Sequence, residues 1–347
     1  MQHLSPRQLQ IFQLIQKKGG ASNQEIRTQL DGVSRTTIVR DLDALVGKGL
    51  ITTEGKGRSV RYREKISNEL LRYIDVEGYF GKGPDERTPI FDRFRFDIFQ
   101  HLRDIFTKEE LQKLTKQNEI YRKRVQALPQ TILKKELERL TIELSWKSSR
   151  IEGNTYSLLD TELLLREHIE APGHPKEETV MIMNHKAALD YIIAKRDDFQ
   201  SLNFLKIEGI HDLIVRDLNV QTGIRKKPIG IVGTRYQPID NYHQIREAVE
   251  KMIRAISEAA DPFSKAVIAI VLISYIQPFE DGNKRTARLL GNALLLAHNV
   301  CPLSFRSVKE AEYKKALILF YEQNSLRSFK ELFMEQFVFA VENYFLA

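Results

Sequence analysis

The sequence predicts a mainly α-helical fold, and three observations lead to that prediction. Beyond residue 95, apolar residues recur three to four positions apart along segments 96–106, 110–146, 182–198 and 241–260, which is the period of amphipathic helices. The most apolar run, 266–276, is too short to span a bilayer and indicates a buried helix. Segment 228–238 is rich in β-formers and glycine and is bounded by prolines, which favours a small β-hairpin inside the helical region.

The composition is that of a soluble globular protein. The 347 residues are 42% hydrophobic and 29% charged, with a formal net charge of +7, and a mild basic excess is compatible with a nucleic-acid or phosphate partner. The single cysteine, Cys301, excludes an internal disulfide and a thiolate metal cluster. The first residues lack the basic-then-apolar pattern of a secretion signal, so we expect a cytoplasmic protein without a membrane partner.

The N-terminal elements are predicted from their caps. Ser5 and Pro6 occupy the cap and first-turn positions of a first helix. Ser22 and Glu25 have the spacing of a capping box that opens a second helix. Ser34 is placed to cap a third helix.

A β-rich pair of segments follows the third helix. Segments 50–53 and 59–63 flank the glycine-containing turn 54–57, which predicts a β-hairpin, or wing. Three helices and a wing predict a winged helix-turn-helix domain over residues 1–65. We expect a connector over 66–95 and a helical domain of about eight helices over 96–347.

The third helix and the wing carry the side chains expected to bind DNA. Arginine and threonine suit base edges and phosphates in a major groove, and basic wing residues suit the DNA backbone. The predicted contacts are Arg35, Thr36, Thr37, Arg40, Lys56 and Arg58. Asp41 and Asp43 dilute this basic patch. Docking to another protein is the alternative role for such a domain.

Segment 277–288 has the pattern of an anion-binding loop. A turn at Asp281 and Gly282 leads into a helix, and amides at a helix N-terminus bind anions. Arg285 and Arg288 lie three positions apart, so both can reach one face of the first turn. Asp281 could hold a divalent cation against a phosphate. The residues thus indicate a polyphosphate site, or an ordinary helix cap with two solvated arginines.

This segment also resembles the signature of the Fic family, which is His-Pro-Phe-x-Asp/Glu-Gly-Asn-Gly/Lys-Arg-x-x-Arg. The matching residues are Pro278, Phe279, Asp281, Gly282, Asn283, Arg285 and Arg288, and Lys284 fills the variable Gly/Lys position. Segment 148–154 resembles the family's inhibitory motif, here placed ahead of the core, and 228–238 resembles its flap. The resemblance covers roughly 90–340 and implies an all-helical Fic-type core.

The resemblance implies a role for each matching residue. Asp281 would bind Mg²⁺ on ATP, and Arg288 would hold the γ-phosphate or pair with Glu152. The remaining phosphate contacts would be Gly282, Asn283, Lys284 and Arg285. The inhibitory residues would be Ser148, Glu152 and Gly153, although a surface salt bridge between Glu152 and Arg288 is the alternative. Flap residues Ile229, Ile231, Val232 and Gly233 would pair with a protein target by strand addition.

Gln277 departs from the family pattern, because the family has a histidine there that deprotonates the target hydroxyl. An amide cannot accept a proton near neutral pH, and losing a general base typically costs about 10²- to 10⁴-fold in rate. His298 would lie at the far end of the following helix, too distant to substitute. We therefore expect ATP binding with AMP transfer weakened or lost at Gln277.

Three functions follow as hypotheses. The first is a DNA-binding transcriptional regulator with a nucleotide-sensing Fic-like domain. Because such regulators often bind two-fold DNA sites, this hypothesis includes a homodimer. The second is an active adenylyltransferase that transfers AMP from ATP to a target hydroxyl. The third is a target-phosphorylating enzyme, since relatives resembling the Doc toxin carry lysine at the position of Lys284.

Overall fold

The computed structural model describes residues 4–30, 32–55, 57–65 and 68–346. The chain divides into two compact units, Met1–Lys82 and Gly83–Ala347.

In its described residues, the N-terminal unit contains four α-helices, the first three of which belong with a small antiparallel sheet. The helices are α1 (Pro6–Lys18), α2 (Asn23–Arg27) and α3 (Arg35–Gly47), and the strands are β1 (Ala21–Ser22), β2 (Ile51–Glu54) and β3 (Arg61–Glu64). The strand order is β1-β3-β2, with Thr53 opposite Tyr62 in the wing. A short helix, α4 (Val76–Phe80), follows. The winged helix-turn-helix prediction is confirmed. Strand β1 was not predicted, because two residues are too few to show a strand pattern in the sequence.

The predicted caps form. The Ser22 hydroxyl accepts the Glu25 amide at 3.2 Å, and the Ser22 amide donates to the Glu25 carboxylate at 2.6 Å. The Ser34 hydroxyl accepts the Thr37 amide at 3.2 Å. These contacts fix the starts of α2 and α3, because the first amides of a helix have no partner within it. The inward face of α3, formed by Ile38, Leu42 and Leu45, is fully buried.

The larger unit is built from ten α-helices in its described residues. They are α5 (Lys108–Ala127), α6 (Gln130–Ile151), α7 (Leu158–Glu167), α8 (Lys176–Ala194), α9 (Phe204–Val215), α10 (Tyr242–Glu258), α11 (Pro262–Ile276), α12 (Asn283–Ala297), α13 (Glu310–Gln323) and α14 (Arg327–Asn343). The sequence suggested about eight. The long run 110–146 is in fact two helices, since Pro129 separates α5 from α6 and a proline disfavours helical backbone in the residue before it.

Helices α11 and α12 form the centre of this unit. Lys284 is the only residue of α12 that is not buried. A Cβ at Gly291 would lie 2.6 Å from a side-chain carbon of Ile270, so this glycine lets the two helices approach closely. Among the described residues, no helix combines the length and apolar character that a membrane span requires.

The flap, residues 228–238, differs from the predicted hairpin. It turns at Val232 and Gly233, but its arms form no strand ladder with each other. Its one bridge joins Gln237 to Arg93 in parallel orientation. Prolines at both ends lack amide donors, and the side chain of Arg87 binds the Gly233 carbonyl instead.

Candidate functional site

The loop between α11 and α12 is closed by one side chain. The Asn283 carboxamide accepts the Phe279 amide at 2.9 Å and donates to the Phe279 carbonyl at 2.8 Å. This pair of bonds brackets the turn, so its backbone is held in one conformation. Asn283 therefore fixes the loop through its side chain, while its amide lies at the start of α12.

A buried histidine supports the loop from beneath. The His211 ring stacks on Phe279, with centroids 3.8 Å apart and planes 9° apart. Its Nε2 lies 3.0 Å from the Asp281 carbonyl. Burial lowers the pKa of His211 to about 4, so the ring is neutral at pH 7 and Nε2 carries the proton that it donates to that carbonyl. His211 is thus occupied in supporting the loop.

Gly282 begins α12 with φ of 76°, a conformation that disfavours residues with a Cβ. A Cβ here would also lie 3.1 Å from Ile214 and 3.2 Å from Val215. The position therefore requires glycine for both its backbone conformation and its surroundings. The result is a helix N-terminus whose amides face the loop without an intervening side chain.

Arg285 lies beside this helix start and is nearly inaccessible. Its side chain is 2% exposed, and its Nη2 lies 3.1 Å from the Asp281 carboxylate. Burial lowers the pKa of Arg285, and its Nη1 has no hydrogen-bond partner. A buried guanidinium with an unused donor is suited to an anion. The alternative of two solvated arginines is wrong.

Arg288 is fully buried and bound to the end of α6. Its Nε donates to the Ser148 hydroxyl at 2.9 Å, and its Nη2 donates to the Ser148 carbonyl at 2.8 Å. The same Nη2 donates to the Glu152 carboxylate at 2.9 Å. This contact is buried on the arginine side, so it differs from an exposed salt bridge.

Glu152 lies between two cations. Burial alone would raise the pKa of Glu152, but the charges of Arg288 and Lys284 outweigh burial and hold it below its usual value. Lys284 Nζ is 3.6 Å from the second carboxylate oxygen. Glu152 is therefore ionised at neutral pH and occupies the cationic side chains that an anion would otherwise meet.

The segment that carries Glu152 is bracketed by a hydrogen bond. The Trp146 indole nitrogen donates to the Tyr156 carbonyl at 3.1 Å, joining the last turns of α6 to the residues after the motif. Gly153 adopts φ of 103°, which turns the chain away from the helix. The motif residues Ser148, Glu152 and Gly153 thus lie in one segment, whose two ends are joined by this hydrogen bond.

Gln277 caps α11 in the left-handed conformation, with φ of 53°. Its side chain is buried, and Nε2 donates to the Ser274 carbonyl at 2.7 Å. The backbone carbonyl of Gln277 accepts a hydrogen bond from Arg225 Nε at 2.7 Å. One N–H of the carboxamide is therefore bound within α11.

A cavity of about 590 Å³ joins these parts. Of the residues predicted for the site, those that line it are Glu152, Ile229, Ile231, Val232, Gly233, Gln277, Asp281, Gly282, Asn283, Lys284 and Arg285. Arg288 lies behind Glu152 rather than in the lining. Lys314, Leu317, Ile318 and Tyr321 of α13 also line the cavity. No motif in the sequence indicated these residues, since they come from a distant amphipathic helix.

The cavity wall fits a phosphate-bound cation better than a protein-held metal. The Asp281 side chain is 65% exposed and could bind an ion with one carboxylate. The described residues contain no group of three or more potential metal-ligating side chains. Mg²⁺ commonly binds through one or two carboxylates together with phosphates and water, so Asp281 suits that arrangement.

The predicted DNA face is partly described. Arg35, Thr36 and Arg40 are exposed on α3, and Thr37 is half-buried. Lys56 and the side chain of Arg58 lie outside the described residues. Asp41 does not dilute the patch as expected, because it is buried and paired with Arg7.

Comparison with known proteins identifies a family for each unit. Residues 201–295 match the Fic/DOC family, and residues 4–83 match the penicillinase repressor family. The chain therefore carries a Fic/DOC domain joined to an N-terminal winged-helix domain of the penicillinase repressor type.

Curated relatives share the Fic region and carry the name protein adenylyltransferase. The Caenorhabditis elegans protein adenylyltransferase fic-1 is 27% identical over 174 residues, 48% of this chain and 34% of the relative. A probable protein adenylyltransferase of Aquifex aeolicus is 31% identical over 104 residues, 28% of this chain and 31% of the relative. The chain thus spans about a third of the length of these relatives.

Solved structures share the fold of the larger unit. Fic-1 from C. elegans aligns with a TM-score of 0.59 at 21% identity, over 68% of this chain and 70% of that one. A Fic domain containing signaling protein from Bacteroides thetaiotaomicron aligns with a TM-score of 0.56 at 19% identity, over 67% of this chain and 94% of that one. The Fic-type helical fold predicted from the sequence is confirmed.

Proposed function

We propose that this protein is a DNA-binding regulator whose Fic domain binds Mg-ATP and transfers AMP weakly or not at all. The observation that carries the proposal is the position of Gln277. Its amide lines the same cavity as the start of α12 and Arg285, where the family's base would face a target hydroxyl. An amide has no basic nitrogen, so it cannot take that proton.

The nucleotide part of the proposal rests on the anion-binding groups. Gly282, Asn283, Lys284 and Arg285 line the cavity, and Arg285 keeps one unpartnered donor, Nη1. Helix N-terminal amides and a guanidinium both favour phosphate oxygens. Mg²⁺, held by Asp281 when bound, would neutralise part of the phosphate charge. Since none of these groups depends on a histidine at 277, ATP binding survives the substitution.

Glu152 sets the affinity in this proposal. It pairs with Arg288 at 2.9 Å and lies 3.6 Å from Lys284. A γ-phosphate that used Arg288 would have to displace this carboxylate. The resting state is therefore one of restrained nucleotide affinity, and release of the motif is the regulatory step.

The winged-helix unit supplies the proposed DNA contacts. Arg35 and Arg40 are exposed at the N-terminal half of α3, the part of a recognition helix that enters a major groove. The match to the penicillinase repressor family supports this role.

A second candidate function is protein adenylylation by an intact mechanism. The names of the curated relatives favour it. It requires a base other than Gln277, and a basic side chain supplied by the target is one source. The third hypothesis, phosphorylation of a target, differs from adenylylation because the γ-phosphorus of ATP is transferred rather than the α-phosphorus.

Labelled ATP separates these functions. The full-length protein, Gln277→His and Gln277→Asn, each with and without Glu152→Gly, are incubated with ATP labelled at the α- or γ-phosphorus. Label is then measured on the chain itself and on proteins of a cell extract, and Mg-ATP affinity is measured by calorimetry.

We expect Mg-ATP binding in every Glu152→Gly variant. Transfer of α-label should appear only with Gln277→His, at about 10²-fold or more above the other two residues. Equal α-label transfer by the Gln277 protein would establish an active adenylyltransferase instead. Transfer of γ-label alone would establish phosphorylation, and failure of Mg-ATP to bind would refute the nucleotide site.

A further inference from the structure

A buried ion pair lies against the flap and has no part in the site described so far. Arg87 and Glu322 are 4% and 1% exposed. Arg87 Nε donates to one carboxylate oxygen at 3.1 Å, and Nη2 donates to the other at 2.9 Å. This bidentate geometry fixes the guanidinium plane as well as its position.

The same two side chains bind the flap directly. Arg87 Nη2 also donates to the Gly233 carbonyl at 2.5 Å. The Thr234 hydroxyl donates to Glu322 at 2.6 Å and accepts the Tyr236 amide at 3.1 Å. The ion pair therefore holds the residues just after the flap's turn, next to those that line the cavity.

The segment that begins at Arg87 follows the flap further. The amides of Ile90 and Phe91 donate to the Glu322 carbonyl at 2.9 and 3.0 Å. The Gln237 amide donates to the Asp92 carbonyl at 2.7 Å, beside the bridge of Gln237 to Arg93. We call residues 87–93 the strap. It runs between α13 and the second arm of the flap.

The base of the flap is held by a different arginine. Arg225 donates to the Lys227 carbonyl at 2.8 Å and to the Ile239 carbonyl, one on each side of the flap. Its Nε donates to the Gln277 carbonyl at 2.7 Å. The base is thus tied to the loop, and Arg87 and Glu322 tie the region of the turn to α13. Val232, at the turn, is 97% exposed.

The free-energy cost of burying the Arg87–Glu322 pair indicates that the pair has a role beyond filling the core. Removing two charges from water is unfavourable, and apolar residues of similar volume often stabilise a core as well as an ion pair does. A hydrophobic contact, however, could not orient the Gly233 carbonyl and the Thr234 hydroxyl. Directional bonds to the flap are therefore what the ion pair adds.

We propose that Arg87 and Glu322 form a clamp that sets the position of the flap over the nucleotide cavity. Arg87 is then a positioning residue for the docking of an extended target segment. The use of the flap as a docking edge rests on the proposed function, whereas the clamp itself does not require nucleotide.

The test measures flap mobility in the full-length chain. A spin label is placed at Val232→Cys. The single native thiol, Cys301, is buried and its pKa is raised by burial, so it stays unlabelled. Into this background are introduced Arg87→Gln, Arg87→Lys and Thr234→Val, with Arg246→Gln as the matched control. Arg246 is an exposed arginine of α10, paired with Glu250 of the same helix.

We expect label mobility to increase in Arg87→Gln, and to a smaller extent in Arg87→Lys and Thr234→Val, but not in Arg246→Gln. Amide hydrogen exchange should accelerate by about tenfold or more at 233–237 while α11 and α12 keep their protection. Mg-ATP affinity should stay within about twofold of the parent, since no clamp residue belongs to the phosphate site.

Two outcomes would overturn the clamp. One is unchanged label mobility in the folded Arg87→Gln and Thr234→Val proteins. The other is faster exchange throughout the unit, which would make the pair merely structural. If Arg87→Gln fails to fold, Thr234→Val decides alone, because it leaves the ion pair intact. Failure of every variant and the parent to bind Mg-ATP would refute the proposed function without touching the clamp.

Discussion

Two features of the structure disfavour any side chain at position 282. One is the backbone φ of 76°, and the other is the close approach of Ile214 and Val215. For Gly282→Ala we expect a loss of roughly 1–2 kcal/mol from the left-handed backbone and roughly 1–3 kcal/mol from overpacking. Urea unfolding measures the loss, and calorimetry should show weakened Mg-ATP binding.

Gly173→Ala is the matched control for Gly282→Ala. Gly173 has φ of 83°, but a Cβ there would meet nothing within 4 Å. It should therefore show the backbone term alone and leave Mg-ATP affinity unaltered. Equal losses of stability at the two positions would contradict the packing argument.

His211 makes stability depend on pH. Its pKa is about 4 when folded and 6.5 in the reference state, so between these values the unfolded chain binds a proton that the folded chain refuses. The free energy of unfolding should therefore fall as pH decreases from 6.5 to 4, by up to about 3 kcal/mol for this group. His185, whose pKa burial also lowers, acts in the same direction.

The pH effect of His211 is isolated by substitution. His211→Phe preserves a ring against Phe279 and removes the titration, so urea unfolding at several pH values should show a shallower fall. His243→Asn, at an exposed position, should leave the fall unaltered. An unchanged pH profile in His211→Phe would show that His211 is not the source.

At the residue scale, the signature loop could be predicted and its supports could not. The identities and order of residues in 277–288 are visible in the chain itself. The stacking of His211 beneath Phe279 and the bond of Arg225 to Gln277 depend on how α9 and the flap pack on α11 and α12. Such contacts arise from tertiary structure, and no spacing rule within one segment announces them.

At the element scale, the end of α6 acts on α12 through Glu152. Glu152→Gly removes the carboxylate and leaves Arg288 buried without its ionic partner, which is destabilising. We expect a lower Tm without nucleotide, a gain in Tm with Mg-ATP, and Mg-ATP affinity stronger by about tenfold or more, equivalent to about 1.4 kcal/mol. Calorimetry and thermal unfolding provide the two measurements.

Glu310→Gln controls for the loss of an acidic partner of α6. Glu310 pairs with Lys147 at 2.5 Å and lies 3.7 Å from Arg150, so its ionic partners belong to α6 rather than to α12. Its Mg-ATP affinity should match the parent. An equal gain in affinity from Glu310→Gln would mean that general charge, rather than the Glu152 contact, restrains the nucleotide.

Helix content was predictable because amphipathic periods and caps are local. The flap shows the limit of that reasoning. Its β-formers, glycines and prolines predicted a hairpin. Instead, Arg87 and Glu322 bind the flap from outside, and Arg225 binds the residues that flank it. Residues far away in the chain supply those bonds, so a local pattern could not reveal them.

At the scale of the whole molecule, a winged-helix unit and a Fic unit share one chain. The proposed DNA role predicts binding to a duplex that weakens with salt, because phosphate contacts release counterions. Arg40→Ala should weaken binding and reduce the slope of log K against log salt by about one. Filter binding over a range of salt concentrations measures both.

Arg196→Ala is the control for the DNA measurement, since Arg196 is an exposed arginine of the Fic unit. It should leave the salt slope as in the parent. No duplex binding at low salt, or an unchanged slope in Arg40→Ala, would favour protein docking as the role of the winged helix. Both units could be recognised from sequence because each has a compact, local pattern.

The hydrogen bond from Trp146 to the Tyr156 carbonyl has a practical consequence. Trp146 is the only tryptophan of the chain, and this bond spans the segment that carries Glu152. Withdrawal of that segment from Arg288 would change the solvation of the indole and shift its ultraviolet emission. The intrinsic fluorescence of Trp146 should therefore report whether Glu152 is paired with Arg288, without an added dye.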